Sequence, residues 1–541
     1  MNITENNNDK SVIIKKVEEA ISDVIIRKLH YANDVEKAQL QAKAAAAIAL
    51  GIDVLINFTV GGGKTLTSLL GSTVKKDANV LIVVPLTAIK GGFIALARKL
   101  GINITRRSRG FVNISKPRCL IVCPETVYNW YINKAQGTLE DDDILEENFW
   151  TNIILDEYHL AVTWGLDPNF RELGYRSTNS IVANSKAQIT ILSATTTQSR
   201  LHKICNLIKK NKILRIHGNS KSLLRHLDVG VIYSGFAKDD PKRVKIMVDI
   251  RHQVIDNKVL YFVNSRQKTK NLVEYFDGFA DMVDVFNEPA YKGISPRELN
   301  LIYEQKNGLI VATEYLGAGY DDTLQFIYIF GFYGITTLVQ MIGRGGRGDA
   351  GCKVKLLLNM SMFNNSMKNT FSIPTTAKTN QEELIITLQL IINPLYICFH
   401  VLIEKYYFSD ENDSIKCCNE CAWCKKRMKL GDTSTITING GKIREAVEKI
   451  HDDGISKISD VIHALNKLLD LKNAHFARYI FYYKLLFLHN ICTIHLNETK
   501  YEWKIKVKHL RLATDEMLEF KYYKRKSMSM YEDDMNIMMT T

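Results

Sequence analysis

The chain has 541 residues, 46% hydrophobic and 24% charged, with a formal net charge of +13. That length suffices for three or four cores of ordinary size, and such a basic excess favours polyanionic partners, nucleic acid before acidic membrane surfaces. No run approaches 18 consecutive apolar residues, and the polar start at residues 1–8 lacks the basic-then-apolar order of a secretory signal, so neither a membrane span nor export is expected.

In chain order, residues 1–34 read as an N-terminal extension with an amphipathic helix over 11–29. From 35 to 375, short apolar runs alternate with longer helical patterns. The expected strands are 54–58, 80–84, 120–123, 153–155, 189–192, 259–263, 309–312 and 326–330. Four or five apolar residues between turn residues mark buried parallel strands, so the expectation is an α/β protein. This stretch is too long for one common sheet. It predicts two tandem parallel-sheet domains, 35–212 and 213–375, joined within 210–219. Residues 376–430 read as helical and end in a cysteine cluster. Residues 431–512 give two or three helices, the last over 474–489, then a hairpin of 491–496 and 501–507 about Asn497-Glu498-Thr499, a winged-helix order. Residues 513–541 read as a loose basic tail.

The chemistry-bearing motifs fall in this frame. Gly61-Gly62-Gly63-Lys64-Thr65 follows the first strand and opens a helix. Three glycines let backbone N–H groups surround phosphates, Lys64 can reach the β/γ-phosphates, and the Thr65 hydroxyl can bind Mg²⁺. Phe58 stands where the strict phosphate-loop pattern has its first glycine. Asp156 and Glu157 end a later apolar strand; there Asp156 can hold Mg²⁺ through water and Glu157 can deprotonate an attacking water. Ser193-Ala194-Thr195 follows the next strand, and Gln340-Met341-Ile342-Gly343-Arg344-Gly345-Gly346-Arg347 comes in the second domain. Arg344 and Arg347 among glycines can neutralise charge growing on a γ-phosphate.

Five of the ten cysteines lie between Cys398 and Cys424. The expected reducing setting, the nucleus in a eukaryotic host and otherwise the cytoplasm, disfavours disulfides among them. Cys418, Cys421 and Cys424 keep two x₂ steps and, with Cys398, can close a tetrahedral Zn²⁺ site. Cys417 is a rival to Cys418. Lys504, Lys506, Lys508, Arg511 and the run Lys521–Lys526 are open to phosphate contact or to solvent, and Tyr501 or Trp503 to a wedge role or a core one.

The order Gly-Lys-Thr, Asp-Glu-x-His, Ser-Ala-Thr, Gln-x-x-Gly-Arg-x-Gly-Arg resembles that of superfamily 2 helicases. The stretch after the acidic box, with Trp164, Gly165, Phe170 and Arg171, narrows the resemblance to the aromatic-rich loop of RecQ helicases. That resemblance implies two RecA-like domains clasping ATP and Mg²⁺, a helical zinc-binding module and a winged-helix-like domain. It also implies 3′-to-5′ movement on single-stranded DNA and unwinding of duplex DNA with a single-stranded tail. Trp164, Phe170, Arg171, Ser265 and Arg266 would touch DNA, and Gln41 the adenine edge. Lys64, Asp156, Glu157, Gln340, Arg344 and Arg347 would carry hydrolysis. The family's Phe-Arg pair before that glutamine is Lys37-Ala38 here. An RNA helicase or remodelling ATPase, and an inactive nucleic-acid-binding scaffold, are the alternatives.

Overall fold

The computed structural model describes residues 35–58, 61–74, 77–105, 118–139, 142–163, 165, 171–218, 227–233, 241–263, 285–287, 306–313, 324–345, 351–358, 433–454, 492–497, 500–505 and 517–523. It also describes single positions between 362 and 468, among them Glu383, Tyr407 and Cys424.

The first lobe starts with α1 (Val35–Ala49) and β1 (Val54–Asn57), then α2 (Lys64–Ser72), β2 (Asn79–Val83), α3 (Thr87–Lys99) and β3 (Asn103–Thr105). It continues with β4 (Arg118–Val122), α4 (Pro124–Ala135), β5 (Asn152–Asp156), α5 (Glu172–Asn184), β6 (Gln188–Leu192), α6 (Gln198–Ile208) and β7 (Leu214–His217). The strands form one parallel sheet in the order β3-β4-β2-β5-β6-β1-β7. Both faces are covered, so the strands are apolar at successive positions. In β5, Ile153 and Leu155 join one core with Trp150, Tyr175 and Ile204, while Ile154 faces the other with Val54, Ile56 and Phe93. The period of two along the strand makes that division.

The second lobe holds β8 (Leu227–Tyr233), α7 (Pro241–Asp256), β9 (Lys258–Val263), β10 (Val285–Asn287), β11 (Gly308–Ala312), β12 (Phe326–Phe330), α8 (Ile335–Ile342) and β13 (Cys352–Leu358). Its six strands are parallel in the order β10-β11-β9-β12-β13-β8. The α/β expectation and all eight expected strands are thus present, their ends differing by at most two residues. Five shorter or more polar strands of the two sheets had no such run of apolar residues, namely β3, β7, β8, β10 and β13. The stretch 210–219, read as the join, contains β7, which pairs with β1 through Val54↔Leu214 to Asn57↔His217 and belongs to the first sheet.

Beyond the lobes lie β14 (Thr433–Asn439), α9 (Gly440–Asp452), β15 (Cys492–Asn497), β16 (Lys500–Ile505) and β17 (Met517–Tyr523). The hairpin β15–β16 falls at the expected place. Residues 517–523, read as part of a loose tail, instead pair antiparallel with β14 over seven positions, from Thr433↔Tyr523 to Asn439↔Met517. A seven-residue ladder satisfies backbone groups that a free tail would leave to water. The expected helices at 11–29 and 474–489 lie outside the described residues.

Helix α1 seats directly on α2. A Cβ at Gly71 would stand 2.7 Å from the Ala45 carbonyl oxygen and 2.8 Å from Ile48 Cβ. Gly71→Ala should therefore destabilise the fold by about 1–3 kcal/mol through forced separation of these helices. Urea unfolding measures this, and a midpoint equal to the wild type would contradict the close packing.

Candidate functional site

Sheet order brings the separated motifs together. Strands β1, β6 and β5 are neighbours, and their register sets Ile56 level with Leu192 and Leu192 level with Asp156. Neighbouring strands lie about 4.8 Å apart. The glycine loop after β1, Ser193 after β6 and Asp156 at the end of β5 therefore leave the sheet side by side, at the carboxyl edge where open α/β sheets take their ligands.

The glycine loop is shaped by left-handed backbone. Gly61 has φ 79° and Gly63, which caps α2, has φ 82°, a region costly for a residue with a Cβ. Lys64 and Thr65 form the first turn of α2, and Lys64 Nζ donates across the loop to the Phe58 carbonyl at 3.2 Å. Gln41, buried on α1, donates from Nε2 to the Gly62 carbonyl at 2.8 Å. It also presses on Gly63, where a Cβ would collide with its amide. The loop is thus braced from α1 as well as from β1.

Asp156 and Glu157 are both buried. Burial, then the Glu157 charge, raises the Asp156 pKa, opposed by Lys64 and Arg344. Glu157 takes φ 45°, ψ 40°, a left-handed conformation that costs a non-glycine residue on the order of 1–2 kcal/mol. The bend ends the extended strand at Asp156. Glu157 Oε2 has no hydrogen-bond partner among the described atoms, although His159 Nδ1 stands 3.3 Å away. A 3-10 turn, Tyr158–Val162, follows, tied to α5 by the Tyr158 hydroxyl donating to Asn179 Oδ1 at 2.6 Å.

His159 joins the two lobes. Its Nδ1 lies 3.0 Å from Ser193 Oγ and its Nε2 lies 3.2 Å from Gln340 Nε2 on α8. An amide nitrogen only donates, so His159 Nε2 accepts and the neutral ring carries its proton on Nδ1, toward Ser193. Burial, then the Arg200 and Lys64 charges, pushes the His159 pKa well below its ordinary value, which agrees with a neutral ring. Ser193 Oγ also accepts from the Thr195 N–H at 3.1 Å. Arg344, buried just past α8, acts electrostatically on Asp156. The next residue runs against Cys352, where a Cβ at Gly345 would be blocked by the thiol.

Lys64, Thr65, Asp156, Glu157, Gln340, Arg344, Gln41 and the three glycines are therefore gathered around one cleft. Arg171 takes a different place. It caps α5, donates from Nη1 to the Pro85 carbonyl and pairs through Nε with Glu125 Oε1 at 3.0 Å. It ties together the strand-end turns after β2 and β4. Arg347, Trp164, Phe170, Ser265, Arg266, Cys398, Cys418 and Cys421 lie outside the described residues, while Cys424 is buried.

Sequence reasoning missed a second polar group at the lobe junction, made of Arg200, Thr336, Glu383, Tyr407 and Asn57. One signal was legible. Arg200 shares the buried face of α6 with Leu201, Ile204 and Ile208, and a charge on an apolar row needs a partner.

Residues 38–204, within the first lobe, match the family model described as DEAD/DEAH box helicase. The fold is similar to that of Mss116p (NTE and C-tail double deletion) bound to ssRNA and AMP-PNP, at 14% identity and a TM-score of 0.50, covering 76% of this chain and 98% of that one. Two other similar structures are the DEAD-box helicase Mss116 bound to ssRNA and UDP-BeF (15% identity, 65% and 86% coverage, TM-score 0.48) and S. cerevisiae Dbp5 bound to RNA and ADP BeF3 (14%, 63% and 86%, 0.47). No curated protein matches the chain. The two parallel sheets share the RecA-like α/β fold of the Mss116p structure bound to AMP-PNP.

The neutral His159 ring has a measurable consequence. Below its ordinary pKa of 6.5 the unfolded chain takes up a proton there that the folded chain refuses. This group's contribution to stability is therefore present at neutral pH and lost as pH falls through 6.5. Asp156, with a raised pKa, acts in the opposite sense but does so in any His159 variant as well. Between about pH 7 and about pH 5.5, His159→Asn should lose less stability than the wild type in urea unfolding, and equal pH slopes would refute the neutral ring.

Proposed function

We propose that the chain is an ATP-dependent helicase that moves along a nucleic-acid strand and separates duplexes. The observation carrying this reading is the direct contact of Gln340 with His159, which brings the second lobe onto the glycine loop and acidic pair of the first. A nucleotide bound to Gly61–Lys64 would lie in a cleft whose other wall carries Gln340 and Arg344.

Roles follow from placement. Gly61, Gly62 and Gly63 offer N–H groups to phosphate oxygens, and Lys64 can leave the Phe58 carbonyl to pair with them. Thr65 and Asp156 would hold Mg²⁺; the raised Asp156 pKa marks a buried carboxyl lacking sufficient positive charge, so the pair fits a cation. When bound, Mg²⁺ supplies charge to the β- and γ-phosphate oxygens. Glu157, whose Oε2 has no hydrogen-bond partner among the described atoms, would accept a proton from water. Arg344, and Arg347 three residues on, would stabilise charge on the transferring phosphoryl group. Gln41 braces the loop and stands where it could meet a base. Gln340 reports, through His159, whether the second lobe is closed.

RNA is the first substrate class in this reading, since the first lobe matches the DEAD/DEAH box model and the Mss116p structure of similar fold is bound to ssRNA. A second reading is a RecQ-like DNA helicase moving 3′ to 5′. It is favoured by the spacing of Cys398, Cys418, Cys421 and Cys424, which would hold Zn²⁺, and by Trp164, Phe170 and Arg171 after the acidic box. The winged-helix-like order of 431–512 belongs to the same reading. Among the described residues no helix is long and apolar enough to cross a membrane.

Unwinding of duplexes with 3′ or 5′ single-stranded tails, in RNA and DNA versions, tests the reading. Strand separation should require ATP and disappear in Lys64→Ala. RNA preference supports the first reading, whereas 3′-tailed DNA preference together with one bound zinc supports the second. Glu157→Gln should keep nucleotide affinity while hydrolysis falls about 10²- to 10⁴-fold. Hydrolysis undiminished in that variant would remove Glu157 as the base.

A further inference from the structure

A second buried cluster lies one helical turn from the cleft, and no step of hydrolysis described above uses it. Arg200, near the start of α6, donates from Nη1 to Thr336 Oγ1 at 2.8 Å and from Nη2 to Glu383 Oε1. Thr336 donates its proton to Glu383 Oε1 at 2.7 Å, so the Tyr407 hydroxyl, 2.9 Å away, must donate to Thr336. The Glu383 carboxylate also backs onto Gly334, where a Cβ would stand 2.7 Å from Oε2. Tyr407 turns its carbonyl to the first lobe, accepting from Asn57 Nδ2 at 3.3 Å and from Arg215. Asn57 ends β1, just before the glycine loop, and its Nδ2 also reaches the Thr196 carbonyl at 3.1 Å.

Three parts of the chain therefore meet at one dry joint. They are the residues after Ser193–Thr195, the first turn of α8, and the segment beyond the second lobe that carries Glu383 and Tyr407. Burial opposes a charged guanidinium, and Glu383, Tyr407 and Tyr406 more than offset it, so Arg200 stays charged. Such a pair adds little net stability, because desolvation consumes most of the attraction; what it adds is a defined geometry.

That geometry bears on the cleft through α8. Thr336, Gln340 and Arg344 follow at four-residue steps, so they share one face of the helix and of the turn continuing it. Arg200 holds the first, His159 meets the second, and the third acts on Asp156. A slip or roll of α8 that freed Gln340 would also break the joint at Thr336.

We propose that Arg200 is a positioning residue for ATP hydrolysis: through Thr336 and Glu383 it holds α8 in the register that sets Gln340 on His159. Glu383 and Tyr407 thereby become part of the support of the ATP site. This inference rests on the ATPase reading above.

The test uses the full chain and the nucleic acid that stimulates the wild type. Thr336→Val removes the hydroxyl at nearly constant shape, and Thr336→Ser keeps it. In Thr336→Val, kcat should fall about tenfold, and in Arg200→Lys on the order of a hundredfold, while KM for ATP stays within about twofold. Binding of a fluorescent ATP analogue should be unchanged in both, and Thr336→Ser should turn over like the wild type. Wild-type kcat in Thr336→Val overturns the proposal, as does an equal loss in Thr336→Ser or a loss of analogue binding that tracks kcat. Should Arg200→Lys fail to fold, the Val and Ser pair decides by itself. A wild type that hydrolyses no ATP with any RNA or DNA overturns the ATPase reading and the proposal with it. Wild-type turnover beside an unaffected Thr336→Val overturns the proposal alone.

Discussion

Gln340 donating to His159 is the hydrogen bond on which the site depends, because it makes one cleft out of two sheets far apart in sequence. The bond is strong for a local reason. His159 is buried and neutral, so its Nε2 lone pair would be an unsatisfied acceptor if α8 withdrew. Leaving such a group unpaired costs about 1–3 kcal/mol, more than the net value of the bond itself. Either the lobes stay together or water must enter and replace Gln340.

The carboxylates add tension to the same place. Asp156 and Glu157 are adjacent, buried and of like charge, and Glu157 sits in a left-handed backbone conformation. Both features destabilise the isolated fold, and both are offset by Lys64, Arg344 and an extensive core beneath the sheet. A cation arriving beside Asp156 would relieve the repulsion. Strain and buried charge at the end of a strand whose middle positions, Ile153 to Leu155, are apolar are features associated with ligand sites.

Much of this arrangement could be read in the residues. Apolar runs at β1, β2, β5, β6, β9, β11 and β12 are unambiguous because strands buried on both faces leave no polar alternation to confuse. Glycines before Lys64 and carboxylates after an apolar strand carry their chemistry in their types. Less legible were β7, with two exposed residues, and the β14–β17 ladder, whose strands are nearly 80 residues apart and polar in composition. Arg171 was read from its loop as a DNA contact; in the fold its guanidinium engages Pro85 and Glu125. No local pattern distinguishes those two uses of an arginine.

The sequence by itself determined the α/β class, the motif order and the residue types able to handle phosphate, cation and water, because these follow from local periodicity and functional-group chemistry. Only the tertiary structure decided that β1, β6 and β5 are neighbours, that His159 meets Gln340, and that Arg200 finds Glu383 and Thr336. The side-chain hydrogen bonds among these span 136 to 183 residues. They are selected when buried polar groups must find partners as the cores close, a demand that no stretch of the chain can express alone.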